Sequence, residues 1–533
     1  MGADEVSVPD RTTKETTGRN EGRIASVADK FYITTAIDYS NGEPHLGHAF
    51  EKIGADCIAR YRRLRGHRVH FVIGMDEHGQ KVAQTAEEQG IDPQDWVDRL
   101  AAKFEAAWRE LNISNTDFIR TTEERHKRTV NELWKRIQAA GYVDKGTYSG
   151  FYCVGCEAFK LEKDLEDGKC PQHPTREIKW VEEPNLFFKA GAFRDFLLQL
   201  YETRPDASDF VRPRAKLNEV RNVVAEWDSN YAMSASRASV RWGIPWPGDE
   251  THTVYVWFEA LINYLSATGF PDDGYNEIWP ADLHIIGPDI LRFHAAFWPA
   301  MLRAADLPVP GGVWCHGWVK TSDSRFSKSA GVTITLREAI DRHGPDALRY
   351  FLLREVPWDA DGNFTWERFD ARYTSELADG YGNLASRILA MMTRYLDGVV
   401  PDAQTETELD SVGAEVVAKY QSAMDAHLLH EGGNAAWGLV TRANQFVEET
   451  APWTLAKEHR NEELRNVMAA LTRALTRITS MASPFMPGKA QTVWQALGRT
   501  DDVSLSSWQD LESPQVAGRS VTRLAPLFPK PQA

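Results

Sequence analysis

A short apolar run, Phe31–Ile37 (FYITTAI), is followed by a loop from Asp38 to Pro44 and then by Leu46, Phe50, Ile53, Cys57, Tyr61 and Leu64 at spacings of three and four. The first run is β-branched and aromatic, as in a buried strand, and the second is the stripe of an amphipathic helix. Val69 to Gly74 reads as the next strand. Strand, long helix and strand with short connections predict a right-handed parallel unit of a Rossmann-like, nucleotide-binding α/β sheet.

With 533 residues the chain exceeds a single core, and two to four domains are expected. Residues 1–28 mix acids and bases without an apolar stretch, so a disordered tail is expected rather than a leader. Residues 29–140 read as the first half of the sheet domain, 141–240 as a connective insertion and 241–320 as the second half. Strand-like runs return at Val254–Phe258, Leu283–Ile286 and Val313–Val319. A loop and small helical region is expected over 321–375 and a helical bundle over 376–533, where Leu464, Val467, Met468, Leu471, Leu475 and Ile478 mark one stripe ended by Pro484. Gly380, Gly382 and Ala385 match a dinucleotide fingerprint as a string but follow a helical segment, so the context fails. No run is apolar enough for a membrane span. The net charge of −15 argues against a coat of nucleic acid but leaves room for a local basic face. Five cysteines, three of them clustered, fit metal binding in a reducing compartment, and cytoplasm is the expected location.

Three constellations carry chemistry. His45, Gly47 and His48 stand where the helix should begin; a helix N-terminus attracts phosphate, Gly47 admits close approach, and two imidazoles can donate to a triphosphate. Taken alone, they read better as a helix start with surface histidines, or as half of a metal site. Arg325-Phe326-Ser327-Lys328-Ser329 puts two cations beside serines in a Gly/Ser-rich loop, which alone also fits a solvated basic loop. Cys153 and Cys156, then Cys170 and His173, have the paired spacing of a closed tetrahedral zinc site.

In this order the first two constellations resemble the signature pair of class I aminoacyl-tRNA synthetases. The cysteine knuckle, with Asp117-Phe-Ile-Arg-Thr-Thr-Glu-Glu-Arg-His126, Tyr255-Val-Trp257 and Trp279-Pro-Ala-Asp-Leu-His284, is similar to single-knuckle methionyl-tRNA synthetases over nearly the whole chain beyond the tail. The resemblance implies ATP-dependent formation of methionyl-adenylate and transfer of methionine to tRNA(Met). It implies His45, His48 and Lys328 as catalytic, with Gly47, Gly287, Asp289, Arg325, Ser327, Lys328 and Ser329 on ATP. It implies a methionine pocket of Ala36, Ile37, Tyr39, Trp257, Ala260, Leu261, Tyr264, Ile290, His294 and Trp298, with Asp76 on the substrate ammonium. A thioether packs well on aromatic rings, and Tyr39 and His294 are the expected polar contacts to sulfur. Asn383 and Arg387, on one helix face, and Trp453 match the family's readers of the CAU anticodon. One structural zinc, magnesium with ATP, and a monomer are expected.

Departures are visible. Pro288 stands where the family usually has Lys, which removes a cation and an N–H. Arg325-Phe326 replaces Lys-Met, Glu259 stands for Asp, and Val332 for a common Asn. They leave two rivals in view: a paralogue that passes an activated amino acid to a partner enzyme without charging tRNA, and a non-enzymatic tRNA-binding protein. Asn383, Arg387 and Trp453 count against the first, and His45, His48 and Lys328 against the second.

Overall fold

A computed structural model describes residues 29–153, 158–160, 162, 165–171, 174–176, 178–202, 209–227, 231–236, 240–321, 324–325, 334–403 and 405–530. Its centre is a parallel sheet. Lys30–Thr35 pairs with Arg68–Asp76 on one side and with Leu283–Ile286 on the other. Leu283–Ile286 pairs in turn with Val313–Cys315, and that strand with Val211–Arg212. Asp117–Arg120 and the two-residue strand Asp38–Tyr39 both pair with Arg68–Asp76. The strands alternate as a sheet covered on both faces must. Phe31, Ile33, Phe71, Ile73, Leu283 and Ile285 pack on one side, and Tyr32, Val72 and Ile286 on the other.

The chain leaves Lys30–Thr35 first toward Arg68–Asp76 and returns much later to its other edge as Leu283–Ile286. The order of strands therefore reverses at this central strand, and the crevice at its carboxyl end is where α/β sheets bind ligands.

Residues 141–240 contribute a second sheet and one edge of the first. Val143–Cys153 and Ile178–Phe188 form a long antiparallel pair, flanked by Ala158–Lys160 and Tyr231–Ala232. Val211–Arg212, from the same stretch, joins the parallel sheet.

Two expected strands change. The apolar run Val254–Phe258 is split: Asp249–Val254 is a strand, but Val256–Ala260 is a helix. Five consecutive apolar residues satisfy either element, and periodicity cannot choose between them. Val313–Val319 breaks at His316, giving Val313–Cys315 in the main sheet and Val319–Thr321 in a small sheet with Ser324–Arg325 and Gly362–Phe364.

Beyond a π-helical segment, Tyr373–Gly382, helices Asn383–Tyr395, Glu408–Asp425, Leu429–Thr450 and Asn461–Ala482 build the bundle. Arg349, fully buried, fixes it to the sheet domain: it donates to the carbonyls of Leu111, Pro484 and Phe485 and pairs with Asp56 at 2.7 Å. Asp56 also accepts from Arg60 and from Ser114. Removing one partner of so buried a pair costs about 3–5 kcal/mol. Among the described residues no helix is long and apolar enough to cross a membrane.

Candidate active site

Helix Leu46–Leu64 begins in the crevice. His45 is its N-cap, and its Nδ1 accepts from the N–H of Gly47 at 3.1 Å and of His48 at 3.4 Å. A Cβ on Gly47 would lie 3.1 Å from the His45 ring, so glycine is what lets the imidazole fold back over the helix start. The rings of His45 and His48 stack at 3.6 Å. His48 is held well below the usual imidazole range, first by burial and then by the charges of His45 and Lys52. Imidazoles on a helix N-terminus present ring N–H donors to an anion, where the helix dipole already favours negative charge.

One turn further along, Lys52 is fully buried. It donates to the Ala36 carbonyl at 2.9 Å, to Asp38 Oδ1 at 2.6 Å and to Glu51 Oε1 at 2.9 Å. Burial alone would lower its pKa, but Asp38 and Glu51 outweigh that and raise it. Glu51 Oε2 meets His316 Nε2 at 3.1 Å, and His316 Nδ1 donates to the Gly317 carbonyl.

The expected methionine residues gather round the same crevice. Tyr39 and Asp76 are register partners, and Asp76 is only 7% exposed. Ala36 and Ile37 continue the central strand, with Ala36 N–H donating to the Ile285 carbonyl. Trp257, Ala260 and Leu261 lie on or just past helix Val256–Ala260. Ile290 ends a short 3-10 turn, Pro288–Ile290, and Phe293–Phe297 is a π turn carrying His294 into helix Trp298–Ala304. Pro288 is the first residue of its turn, where an N–H has no intrahelical partner, so the lost donor costs little there. Gly287, just before it, has room for the Asp289 side chain; a Cβ would stand 2.9 Å from Asp289 Oδ1.

Tautomers follow from the partners. His294 Nδ1 donates to the Ile290 carbonyl at 3.1 Å, so its Nε2 accepts the Tyr264 hydroxyl at 2.6 Å. Burial lowers the pKa of His294 to about 4. Trp298 donates to His284 Nε2 at 3.3 Å, so His284 Nδ1 gives its hydrogen to Thr34 Oγ1 at 2.6 Å. This is a wall of neutral, mutually satisfied rings. Both nitrogens of His294 are occupied, Nδ1 by the Ile290 carbonyl and Nε2 by the Tyr264 hydroxyl, so its ring has no hydrogen left to donate.

Several neighbours were not legible in the sequence. Phe293 stacks face to face on Trp257 at 4.2 Å and 3°. Lys81 stands 5.7 Å from the Tyr39 ring centroid. Glu259, fully buried, meets His78 Nδ1 at 3.1 Å, and Trp242 Nε1 donates to the Glu77 carbonyl at 2.6 Å. The first contact ties the loop after Asp76 to the helix of Trp257, and the second ties it to the segment around Trp242. An aromatic beside the expected His294 was the one available signal for Phe293.

Of the signature loop, Arg325 lies at the end of strand Ser324–Arg325, while Phe326, Ser327, Lys328, Ser329 and Val332 lie outside the described residues. Of the knuckle, Cys153 closes strand Val143–Cys153 and Cys170 follows a tight bridge between Glu166 and Lys169. Both are buried, and Cys156 and His173 lie outside the described residues. In the bundle, Asn383 opens its helix exposed, and the Arg387 guanidinium stands 5.8 Å from the ring centroid of Trp453. Arg387 also pairs with Glu448 at 2.6 Å.

Residues 31–179 and 160–389 match the family model of class I tRNA synthetases (M), and 399–530 match that of the anticodon binding domain of methionyl tRNA ligase. The methionine–tRNA ligase of Thermotoga maritima is 41% identical over 514 residues, 94% of this chain and 80% of that protein. That of Bacillus subtilis is 40% identical over 527 residues, 94% of this chain and 78% of the relative. The methionyl-tRNA synthetase of Mycobacterium tuberculosis bound by methionyl-adenylate superposes with a TM-score of 0.88 at 35% identity, covering 94% of this chain and 100% of the other. The apo form of the Mycobacterium tuberculosis enzyme gives 0.83 at 32% identity, with 96% and 99% covered.

Proposed function

The chain belongs to the class I methionyl-tRNA synthetases, and on that premise we propose that it activates methionine with ATP and transfers it to tRNA(Met). The observation that carries the reading is the pairing of Tyr39 with Asp76 at the carboxyl edge of the sheet, beside the start of the His45 helix. It sets a ring for the thioether and a buried carboxylate for the ammonium next to a seat for phosphate.

Asp76 orients the ammonium. Trp257, Tyr264, His294 and Trp298, with Ala36, Ile37, Ala260, Leu261 and Ile290, enclose the side chain, and Tyr39 is the remaining polar contact for sulfur. The methionine carboxylate is already an anion at neutral pH, so no base is needed. Its oxygen attacks the α-phosphorus, the bond to the β-phosphate breaks, and pyrophosphate leaves; magnesium bound with ATP would supply further charge neutralisation on the phosphates. His45 and His48, with Lys328, Arg325, Ser327 and Ser329 from the loop, stabilise the charge that builds on the phosphates; Gly47, Gly287 and Asp289 shape the nucleotide's seat. The ribose hydroxyl of the terminal tRNA adenosine then attacks the acyl carbonyl and expels AMP. Asn383, Arg387 and Trp453 select the tRNA by its anticodon.

We assign residues 29–140 and 241–320 to catalysis, 141–240 to the insertion, 321–375 to the signature loop and stem contact, and 376–533 to anticodon binding. Cys153, Cys156, Cys170 and His173 would hold one zinc, whose role is to close the insertion. Cys153 and Cys170 are both buried, as two thiols of that donor set would be. The compartment we assign is the cytoplasm, where free methionine, ATP and uncharged tRNA meet. Methionine-dependent exchange of pyrophosphate into ATP, followed by charging of tRNA(Met) in the same preparation, tests the reading. Exchange with another amino acid in place of methionine, or exchange without charging, would overturn it.

A further inference from the structure

Lys52 lies behind the crevice and not in it, yet every hydrogen of its ammonium is committed to a piece of the site's frame. One goes to the Ala36 carbonyl and one to Asp38, which bracket Ile37 and precede Tyr39. The third goes to Glu51, whose other oxygen meets His316. His316 follows strand Val313–Cys315, and its N–H donates to the Ile286 carbonyl beside Gly287. One buried side chain therefore connects the loop expected to hold the methionine side chain with the two strand ends expected to hold the nucleotide.

We propose that Lys52 is a positioning residue that sets the methionine loop and the nucleotide side of the crevice at a fixed separation, so that one group tunes the binding of both substrates. This rests on the synthetase reading. The geometry is particular to lysine. Three acceptors at 2.6–2.9 Å match the three donors of an ammonium. A planar guanidinium does not present three donors from one atom, and a thioether presents none. The site is also dry: Lys52 is 0% exposed, Asp38 3% and Glu51 6%, so water does not replace a lost bond without rearrangement. Adenylate formation depends on a reacting carboxylate and phosphorus held near contact, and a small displacement is costly in rate.

The test is methionine-dependent pyrophosphate exchange on wild type, Lys52→Met and the double variant Asp38→Asn/Lys52→Met, with the folded fraction of each measured by thermal unfolding. The double variant removes one of the two buried carboxylates that Lys52→Met would strand, and the other, Glu51, keeps its contact with His316, so a folded protein stays available. The expected result, per folded molecule, is a KM at least about tenfold higher for methionine and for ATP together in both variants, with anticodon-dependent tRNA affinity unchanged. A lysine that only stabilises the fold would lower the maximal rate in proportion to folded protein and leave both KM values alone. That outcome, or a rise confined to one substrate, overturns the proposal. Absence of methionine-dependent exchange in the wild type would instead remove the synthetase reading beneath it.

Discussion

Tyr264 gives its hydroxyl hydrogen to Nε2 of His294 across 2.6 Å, and the other nitrogen of His294 is occupied by the Ile290 carbonyl. The pair is buried and neutral. Its neighbours, His284 and Trp298, are closed in the same way by Thr34. A pocket wall with no hydrogen left to give favours an apolar, polarizable group over an alcohol or amide of the same length. On the proposed reading, selectivity rests on what polar substrates fail to find along this wall.

Tyr264→Phe leaves the His294 nitrogen as a buried acceptor without a donor. We expect a loss of about 1–3 kcal/mol in unfolding free energy. We also expect weaker discrimination against polar analogues, because an unmet acceptor now lines the pocket. Chemical denaturation and exchange assays with methionine and a hydroxyl-bearing analogue of similar length measure both. Unchanged discrimination would show that the wall is not what selects.

Stability should fall on mild acidification, before most carboxylates titrate; Asp38, pushed up to about 7 by burial, works against the trend. Burial lowers the pKa of His294 to about 4 and of His126 to about 3, from an ordinary value of 6.5. Burial pushes His284 and His427 in the same direction. A histidine depressed in the folded state binds its proton more readily when unfolded. Its contribution is therefore complete above pH 6.5 and is lost as pH falls from there toward the folded value. Each such group steepens the decline by about 1.4 kcal/mol per pH unit in that window. Denaturation midpoints between pH 7 and pH 5 read it out, and a flat profile there would mean these imidazoles are accessible to protons in the folded state.

Local periodicity made the strand–helix–strand unit at the start legible, because a buried strand and an amphipathic helix differ over a few residues. The same reasoning failed for Val254–Phe258, where an all-apolar stretch carries no period and the chain turns helical from Val256. Partnerships across the sheet were invisible: nothing local says that Tyr39 lies beside Asp76 or that Phe293 covers Trp257. Lys52 was hidden for the opposite reason. A lysine in a helix reads as solvated, and only the fold shows that its ammonium is buried among three acceptors. The resemblance supplied candidate residues, but not the closed hydrogen bonds that decide which of them can donate.

Zinc should be removable without touching the crevice. A chelator, or Cys153→Ser, is expected to release about one zinc per chain, since the paired thiols fit a single four-ligand site. The thermal transition should then split or drop, because the long antiparallel pair ends at Cys153. Metal analysis and calorimetry check this. Zinc-free protein with an unaltered transition would rule out a structural ion in the knuckle.

Arg387 and Trp453 come from different helices, yet the guanidinium lies 5.8 Å from the indole centroid while Glu448 holds it at 2.6 Å. The indole is 39% exposed, so an unstacked base has a surface to lie on. Stacking of one base is worth about 1–3 kcal/mol, which corresponds to about a 5- to 150-fold loss in kcat/KM for tRNA when the ring is removed. Trp453→Ala and Arg387→Ala should both show such a loss in charging and none in methionine-dependent exchange, since the anticodon plays no part in making the adenylate. If exchange fell in step with charging, the bundle would be supporting the catalytic fold and not reading tRNA. A loss in charging alone, together with a weaker salt dependence in Arg387→Ala, would place the contact on the nucleic acid.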